Sequence, residues 1–259
     1  MKHFLCPALS LLLLVGCSEM RPGASSGASC CGDHSKDKIV VPTMPTLEFP
    51  ADVTPADAPS EEPPTSAESW LPLFDGDSMA GWMVPVYGGD GDVDVHEGNI
   101  VIGRGEMMTG IRYENEFPKV NYEIRYEARR TQGYDFFASC TFPVKESYCT
   151  FINGGWSGGL TGISSVDGLD ASENSTSAYF AYKENVWYRF RIQVTDDKIQ
   201  VWLTPQDAEG NWEEEKSVVE LETTDRTLST RYEVERYKPL GFCTWTSEGQ
   251  LRKIEYRNL

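Results

Sequence analysis

Over much of the chain, hydrophobic and polar residues alternate with a period of two. Tyr122, Ile124, Tyr126 and Ala128 are interleaved with Glu123, Arg125, Glu127 and Arg129, which predicts a strand with one face buried and the other in water. Tyr188, Phe190, Ile192 and Val194 alternate with Arg189, Arg191 and Gln193, and Asp196-Asp197 then predicts a hairpin turn into Ile199, Val201 and Leu203. A last strand is expected where Ile254 and Tyr256 sit between Lys253, Glu255 and Arg257. No segment sustains a 3.6-residue apolar period, and helix is expected only as a short turn near residues 224–229. Many short strands separated by Gly, Asp and Asn turns predict one all-β domain over residues 70–259, a jelly-roll sandwich of two antiparallel sheets.

The first 69 residues follow different rules. A run from Phe4 to Val15 is almost wholly apolar and rich in leucine. At about 12 residues it is too short to cross a bilayer core, which takes ~20 residues of helix, so it reads as a cleaved leader. Leu14-Val15-Gly16-Cys17 resembles the lipobox of bacterial lipoproteins, in which the cysteine is acylated and becomes the new N-terminus. Residues 1–17 are therefore expected to be a signal peptide ending at lipidated Cys17, placing the protein in the cell envelope, facing the periplasm or the exterior. Residues 18–69 turn to Ser, Gly and Ala and then carry seven of the fifteen prolines between Pro42 and Pro64. With few large apolar residues to offset ordering entropy, this stretch is expected to be a disordered linker. Cys30-Cys31-Gly32-Asp33-His34 within it supplies three ligand types where a zinc site needs four well-placed ligands; an intermolecular disulfide is the more plausible role.

A formal net charge of −17 at pH 7 excludes nucleic-acid backbones and anionic headgroups as natural partners, since both would be repelled. The membrane is expected to be met through the lipid anchor only. Cys140 and Cys149 flank an expected turn at Pro143 to Ser147, so export into an oxidising compartment suggests a disulfide between them, with two buried thiols the alternative and Cys243 a third thiol.

Four stretches carry a family resemblance. Leu73-Phe74-Asp75-Gly76 followed by Gly81-Trp82 opens the domain; Gly98-Asn99-Ile100-Val101-Ile102-Gly103 forms a hairpin; Asn185-Val186-Trp187-Tyr188-Arg189-Phe190-Arg191-Ile192 is a strand; and Arg252-Lys253-Ile254-Glu255-Tyr256-Arg257-Asn258-Leu259 closes the chain. In this order they resemble the 3-keto-disaccharide hydrolase family, formerly DUF1080 and also described as 3-keto-glucoside lyase or hydratase. The resemblance implies a concanavalin A-like jelly roll and a carbohydrate substrate. The middle of the chain departs from the family pattern, at Asp135-Phe136-Phe137-Ala138-Ser139-Cys140 and at Phe151-Ile152-Asn153-Gly154-Gly155-Trp156.

Candidate chemistry gathers in the same middle region. Glycines 154, 155, 158 and 159 surround Trp156, and Asp167, Asp170 and Glu173 follow. An indole can stack on a pyranose while carboxylates hold its hydroxyls, so Asn153, Trp156 and Trp245 are candidate substrate contacts. If the substrate is a 3-keto-sugar, as the resemblance implies, a base must remove the acidified C2 proton, and Asp135, Asp167, Asp170 and Glu173 are the candidates. His96 lies in a His-Glu-Gly-Asn turn and reads as a solvated turn residue. No G-x-S-x-G elbow, P-loop, H-E-x-x-H or paired C-x-x-C occurs. No cofactor is identified; a divalent cation such as calcium stays open, although Asp90, Asp92 and Asp94 alternate like an exposed strand face and lack EF-hand spacing. Three readings remain: an enzyme acting on glycosides, a lectin-like carbohydrate-binding module without chemistry, or a structural envelope module.

Overall fold

The computed structural model describes residues 69–259. The expected leader, lipidated Cys17, linker and Cys30-to-His34 cluster lie outside the described residues. The strands, in chain order, are β1 (Leu71–Pro72), β2 (Trp82–Met83), β3 (Val93–His96), β4 (Asn99–Ile102) and β5 (Met108–Tyr113). Next come β6 (Tyr122–Gln132), β7 (Ser139–Val144), β8 (Ser147–Gly154), β9 (Leu160–Ser164) and β10 (Ala178–Tyr179). The last five are β11 (Tyr188–Val194), β12 (Lys198–Pro205), β13 (Lys216–Glu222), β14 (Gly241–Trp245) and β15 (Glu248–Asn258). An eight-stranded sheet has the order β13-β12-β11-β6-β15-β4-β3, with β1 also paired to β15; a seven-stranded sheet has the order β10-β9-β8-β7-β14-β5-β2. Every named pairing is antiparallel. This is the all-β jelly-roll sandwich that the alternation predicts.

The core lies between the sheets. Tyr126 and Phe190 project from the eight-stranded sheet and Phe151 and Phe242 from the seven-stranded one, all fully buried. Their rings meet at centroid distances of 5.1 Å for Tyr126–Phe190, 4.8 Å for Tyr126–Phe242 and 5.8 Å for Phe151–Phe190. Burying each such ring contributes on the order of 1.5–3 kcal/mol, and the edge and offset geometries add ~0.5–1.5 kcal/mol per pair.

The outer face of the eight-stranded sheet is not the wet face that the alternation predicts. Glu123 and Glu127 point outward from β6 yet are 0% and 2% exposed. Glu127 accepts from Arg189 at 2.8 Å and Arg252 at 2.8 Å, with Lys253 at 3.4 Å; Glu123 accepts from Arg191 at 2.7 Å, Gln193 at 3.0 Å and Arg257. Tryptophans cover these arginines: Arg252 sits 3.9 Å from the Trp187 centroid, Arg191 3.7 Å from Trp202, Arg189 4.2 Å from Trp212 and Arg257 4.8 Å from Trp70. Cation–π contacts of this kind hold long arginines flat on the sheet, and the flattened side chains exclude water from the carboxylates beneath.

Two further expectations are corrected. Cys140, Cys149 and Cys243 are free and buried. The β7–β8 register sets Cys140 opposite Phe151 and Cys149 opposite Phe142, so the two cysteines are not partners across the hairpin. Residues 224–229 contain a turn rather than a helix: the Ser229 and Ser165 backbones bond each other, and Leu228 bridges Val166, which holds this stretch extended. The helical turn falls just after it, as a 3-10 helix at Tyr232–Tyr237.

Burial pushes the Glu127 carboxyl up, but hydrogen bonds from Arg189 and Arg252 and the charge of Lys253 outweigh it and hold the group below the usual range. A lowered folded pKa means that its contribution is full above the unfolded carboxylate value and is lost as pH falls through the folded one. Replacing Glu127 by Ala leaves several arginines without their anion and should cost about 3 kcal/mol. Urea denaturation at neutral pH checks this, and the gap between wild type and Glu127→Ala should narrow as the pH is taken down through the carboxylate range.

Candidate active site

Since inner positions fill the core, alternate positions of the seven-stranded sheet face outward. Thr141, Thr150 and Ser164 stand in register on β7, β8 and β9, and the Thr141 and Thr150 hydroxyls are 3.0 Å apart. At the β14–β5 side, the 3-10 helix presses onto this face: a Cβ on Gly241 would come 2.6 Å from the Tyr237 carbonyl oxygen. A cavity of about 260 Å³ remains, lined by Met108, Asp135, Phe136, Thr150, Ile152, Trp156, Ser164, Arg231, Glu233, Val234 and Trp245. Apolar side chains, with Phe136 and Trp245 at a ring-centroid distance of 6.3 Å, share it with hydroxyls, carboxylates and one guanidinium, a combination suited to a small polar ligand with an apolar face.

Trp156 is displayed by a distorted turn at Gly155–Gly158, in which Gly154, Trp156, Ser157 and Gly158 have φ of 80°, 47°, 72° and 106°. The left-handed region costs roughly 1–2 kcal/mol for each non-glycine residue, and φ near 106° is open only to glycine. Asp135 secures the turn. Its Oδ1 accepts from the Phe136 amide at 2.8 Å and its Oδ2 from the Ser157 amide at 3.1 Å. Trp156 is thereby held 44% exposed over the cavity.

Across the cavity, Arg231 is clamped by two carboxylates. It donates to Asp170 Oδ2 and to both oxygens of Glu233, at 3.3 and 3.4 Å. Asp170 Oδ1 in turn accepts from the Ser164 hydroxyl at 3.2 Å. Hydrogen bonding from Arg231 holds the Glu233 carboxyl below its usual range, and the same contact raises Arg231. The result is a fixed cation beside an ionised carboxylate.

Of the residues singled out in the sequence, Asp135, Trp156 and Trp245 line the cavity, and Asp170 stands directly behind Arg231 and Ser164. The remaining three lie elsewhere. Asp167 caps a turn, accepting from the Thr227 amide at 2.8 Å and Arg226 at 2.7 Å, which together hold its carboxyl low. Glu173 is exposed away from the cavity lining. Asn153 is fully buried, accepts from the Ala138 amide at 3.3 Å and is not among the residues that line this cavity. Arg231, Glu233, Thr150 and Ser164 were not foreseen. The hydroxyls carried a signal, polar residues at alternate positions of strands whose other positions are apolar; the Arg231 loop carried none. Among the described residues no group of three or more His, Cys, Asp or Glu could hold a metal ion, and no helix is long and apolar enough to cross a membrane.

Asparagine at position 135 keeps one acceptor where two are used. Asp135→Asn should free the Ser157 amide, a charge-assisted bond worth ~1.5–3 kcal/mol. Amide hydrogen exchange at Ser157 should then quicken by about tenfold or more, while core amides of β6 stay protected.

Residues 69–259 match the family described as 3-keto-alpha-glucoside-1,2-lyase-like domain. No curated protein sequence matches. Among solved structures, the chain is similar to a Crh5 transglycosylase in complex with NAG, at 13% identity and TM-score 0.47 over 74% of this chain and 84% of that one. It is also similar to peanut lectin, at 9% identity and TM-score 0.45 over 69% and 91%, and to a glycosyl hydrolase family protein from Mycobacterium fortuitum, at 12% identity and TM-score 0.41 over 70% and 94%.

Proposed function

We propose, from the premise that this chain belongs to the 3-keto-alpha-glucoside-1,2-lyase-like domain family, that its cavity binds a sugar ring bearing a C3 ketone and cleaves the glycosidic bond beside it. The observation that carries the reading is the convergence of Trp156, Trp245, Asp135 and Arg231 on one cavity. A C3 ketone acidifies the proton on C2. Asp135 takes that proton, and the electron pair moves toward the ketone oxygen, where the Arg231 guanidinium stabilises the developing negative charge. The pair then returns to form the C1–C2 double bond as the C1 substituent leaves with the electrons of its bond and takes up the proton held by Asp135. Water adds across that bond in a second step. Asp170 and Glu233 act as positioning residues that hold Arg231.

Turnover of 3-keto-disaccharides by the purified chain tests this. Asp135→Asn should lower kcat/KM by about 100-fold or more, Arg231→Gln should do likewise, and a folded wild-type chain without turnover overturns the enzymatic reading. One observation favours a second reading, a lectin-like binding module: both Asp135 oxygens are occupied by backbone amides, and Asp170 and Glu233 are engaged by Arg231. Calorimetric binding that is lost in Trp156→Ala, with no turnover by the folded wild-type chain, selects that module.

We also propose that lipid on Cys17 tethers the chain in the cell envelope, where neutral glycans rather than anionic polymers suit its charge of −17. Cys17→Ser should move the protein from the membrane to the soluble fraction, because stable anchoring needs its acyl chains; retention in the membrane contradicts the tether.

A further inference from the structure

The six-residue 3-10 helix that follows Arg231 is too short to hold its own position, because a run of this length has few internal hydrogen bonds and those of poor geometry. What packs against it therefore decides where Arg231 and Glu233 stand. Its C-terminal end is fixed by Tyr237, fully buried against Gly110 and Gly241, where a Cβ on either glycine would come 2.7 Å from the Tyr237 side chain. Its N-terminal half is met by a residue 146 positions earlier: Tyr87, in the loop between β2 and β3, donates its hydroxyl to the Glu233 backbone carbonyl. The Tyr87 ring lies 5.9 Å from that of Tyr237, and the Arg236 guanidinium stands 3.3 Å from its centroid while donating to the Val86 carbonyl. Burial pushes the ionisation of the Tyr87 hydroxyl up, so it stays protonated and donates to a carbonyl that can only accept.

The loop that carries Tyr87 is itself tied down. Asp90 Oδ2 accepts from the Tyr87 and Gly88 amides, both at 2.7 Å. The Gly91 amide donates to Thr109 Oγ1 on β5 at 2.8 Å, and the Gly89 carbonyl accepts from the Glu106 amide at 2.7 Å. A Cβ on Gly91 would run into the Gly103 carbonyl, so this approach is open only to glycine. The loop is thus a strut that runs from β5, whose Met108 lines the cavity, to the backbone of Glu233, which lines it too. Tyr87 is not among the lining residues and meets no ligand there. Arg231 has its side chain 47% exposed, and Asp170 and Glu233 are what hold it against the pull of solvent.

We infer that Tyr87 is a positioning residue of this cavity: its hydroxyl fixes the Glu233 main chain and, through the Glu233 carboxylate, the Arg231 guanidinium. This rests on the role given to Arg231 above and adds the group that keeps it in place. Tyr87→Phe keeps the ring and removes the hydroxyl. The probes are maltose and cellobiose, each oxidised to the ketone at C3 of the non-reducing ring. On the probe that the full chain turns over, kcat should fall about five- to tenfold with KM within about twofold, as the loss of one hydrogen bond implies. In an Arg231→Gln background the same substitution should change kcat by less than about twofold, since the group it positions is gone. A second readout needs no turnover: proton exchange at Arg231 Nε should quicken by about fivefold or more in Tyr87→Phe, while β6 amides and the Arg191 Nε proton exchange as in wild type. An unchanged kcat, an undiminished loss in the Arg231→Gln background, or Arg231 Nε exchange as slow as in wild type overturns the positioning role. If the folded chain turns over neither probe, the enzymatic reading fails, and Arg231 exchange alone decides whether Tyr87 holds the guanidinium.

Discussion

Burial of every second side chain between two sheets is the constraint on which the rest of this molecule depends. Tyr122, Ile124, Tyr126 and Ala128 on β6, with Tyr188, Phe190, Ile192 and Val194 on β11, commit one face of the eight-stranded sheet to the core. Cys140, Phe142, Cys149 and Phe151 commit one face of the seven-stranded sheet. Each sheet then has one face left, and the two are treated differently. Over the eight-stranded sheet, arginines stacked on tryptophans roof the buried Glu123 and Glu127. Over the seven-stranded sheet, the row of Thr141, Thr150 and Ser164 offers small hydroxylated positions, and the 3-10 helix covers only part of it. The cavity is the uncovered remainder.

Within that cavity one carboxylate has two demands on it. The turn that displays Trp156 holds two non-glycine residues in the left-handed region, at roughly 1–2 kcal/mol each. The charge-assisted bond from the Ser157 amide to Asp135, worth ~1.5–3 kcal/mol, offsets most of that. On the proposed mechanism a base at position 135 takes up a proton, and protonation would weaken the same bond, so that mechanism couples proton transfer at Asp135 to the placement of Trp156.

The strands were legible because their signal is local: the period of two at β6, β11 and β15 and the Asp196-Asp197 turn each lie within a few residues. The outer lattice was not. Glu123 and Glu127 look like solvent-facing residues until Arg189, Arg191, Arg252 and Arg257 arrive from two other strands. The cysteine pairing failed because register, which separates Cys140 from Cys149, is set by whole strands and not by spacing. Asp135, Trp156 and Trp245 stood out because charged or aromatic residues occurred among glycines or at strand ends. Arg231 and Glu233 did not, because a loop far along the chain carries no period that would point it at β8 and β9.

The central claim is that ligand enters by the open face of the seven-stranded sheet and not by the roofed face opposite. Amide chemical shifts of the isotopically labelled chain, followed during titration with a 3-keto-disaccharide, test it most directly. Perturbations should concentrate at Phe136, Thr150, Trp156, Ser157, Ser164 and residues 231–234. Perturbations centred instead on Trp187, Arg189, Trp202 and Arg252 would contradict the account.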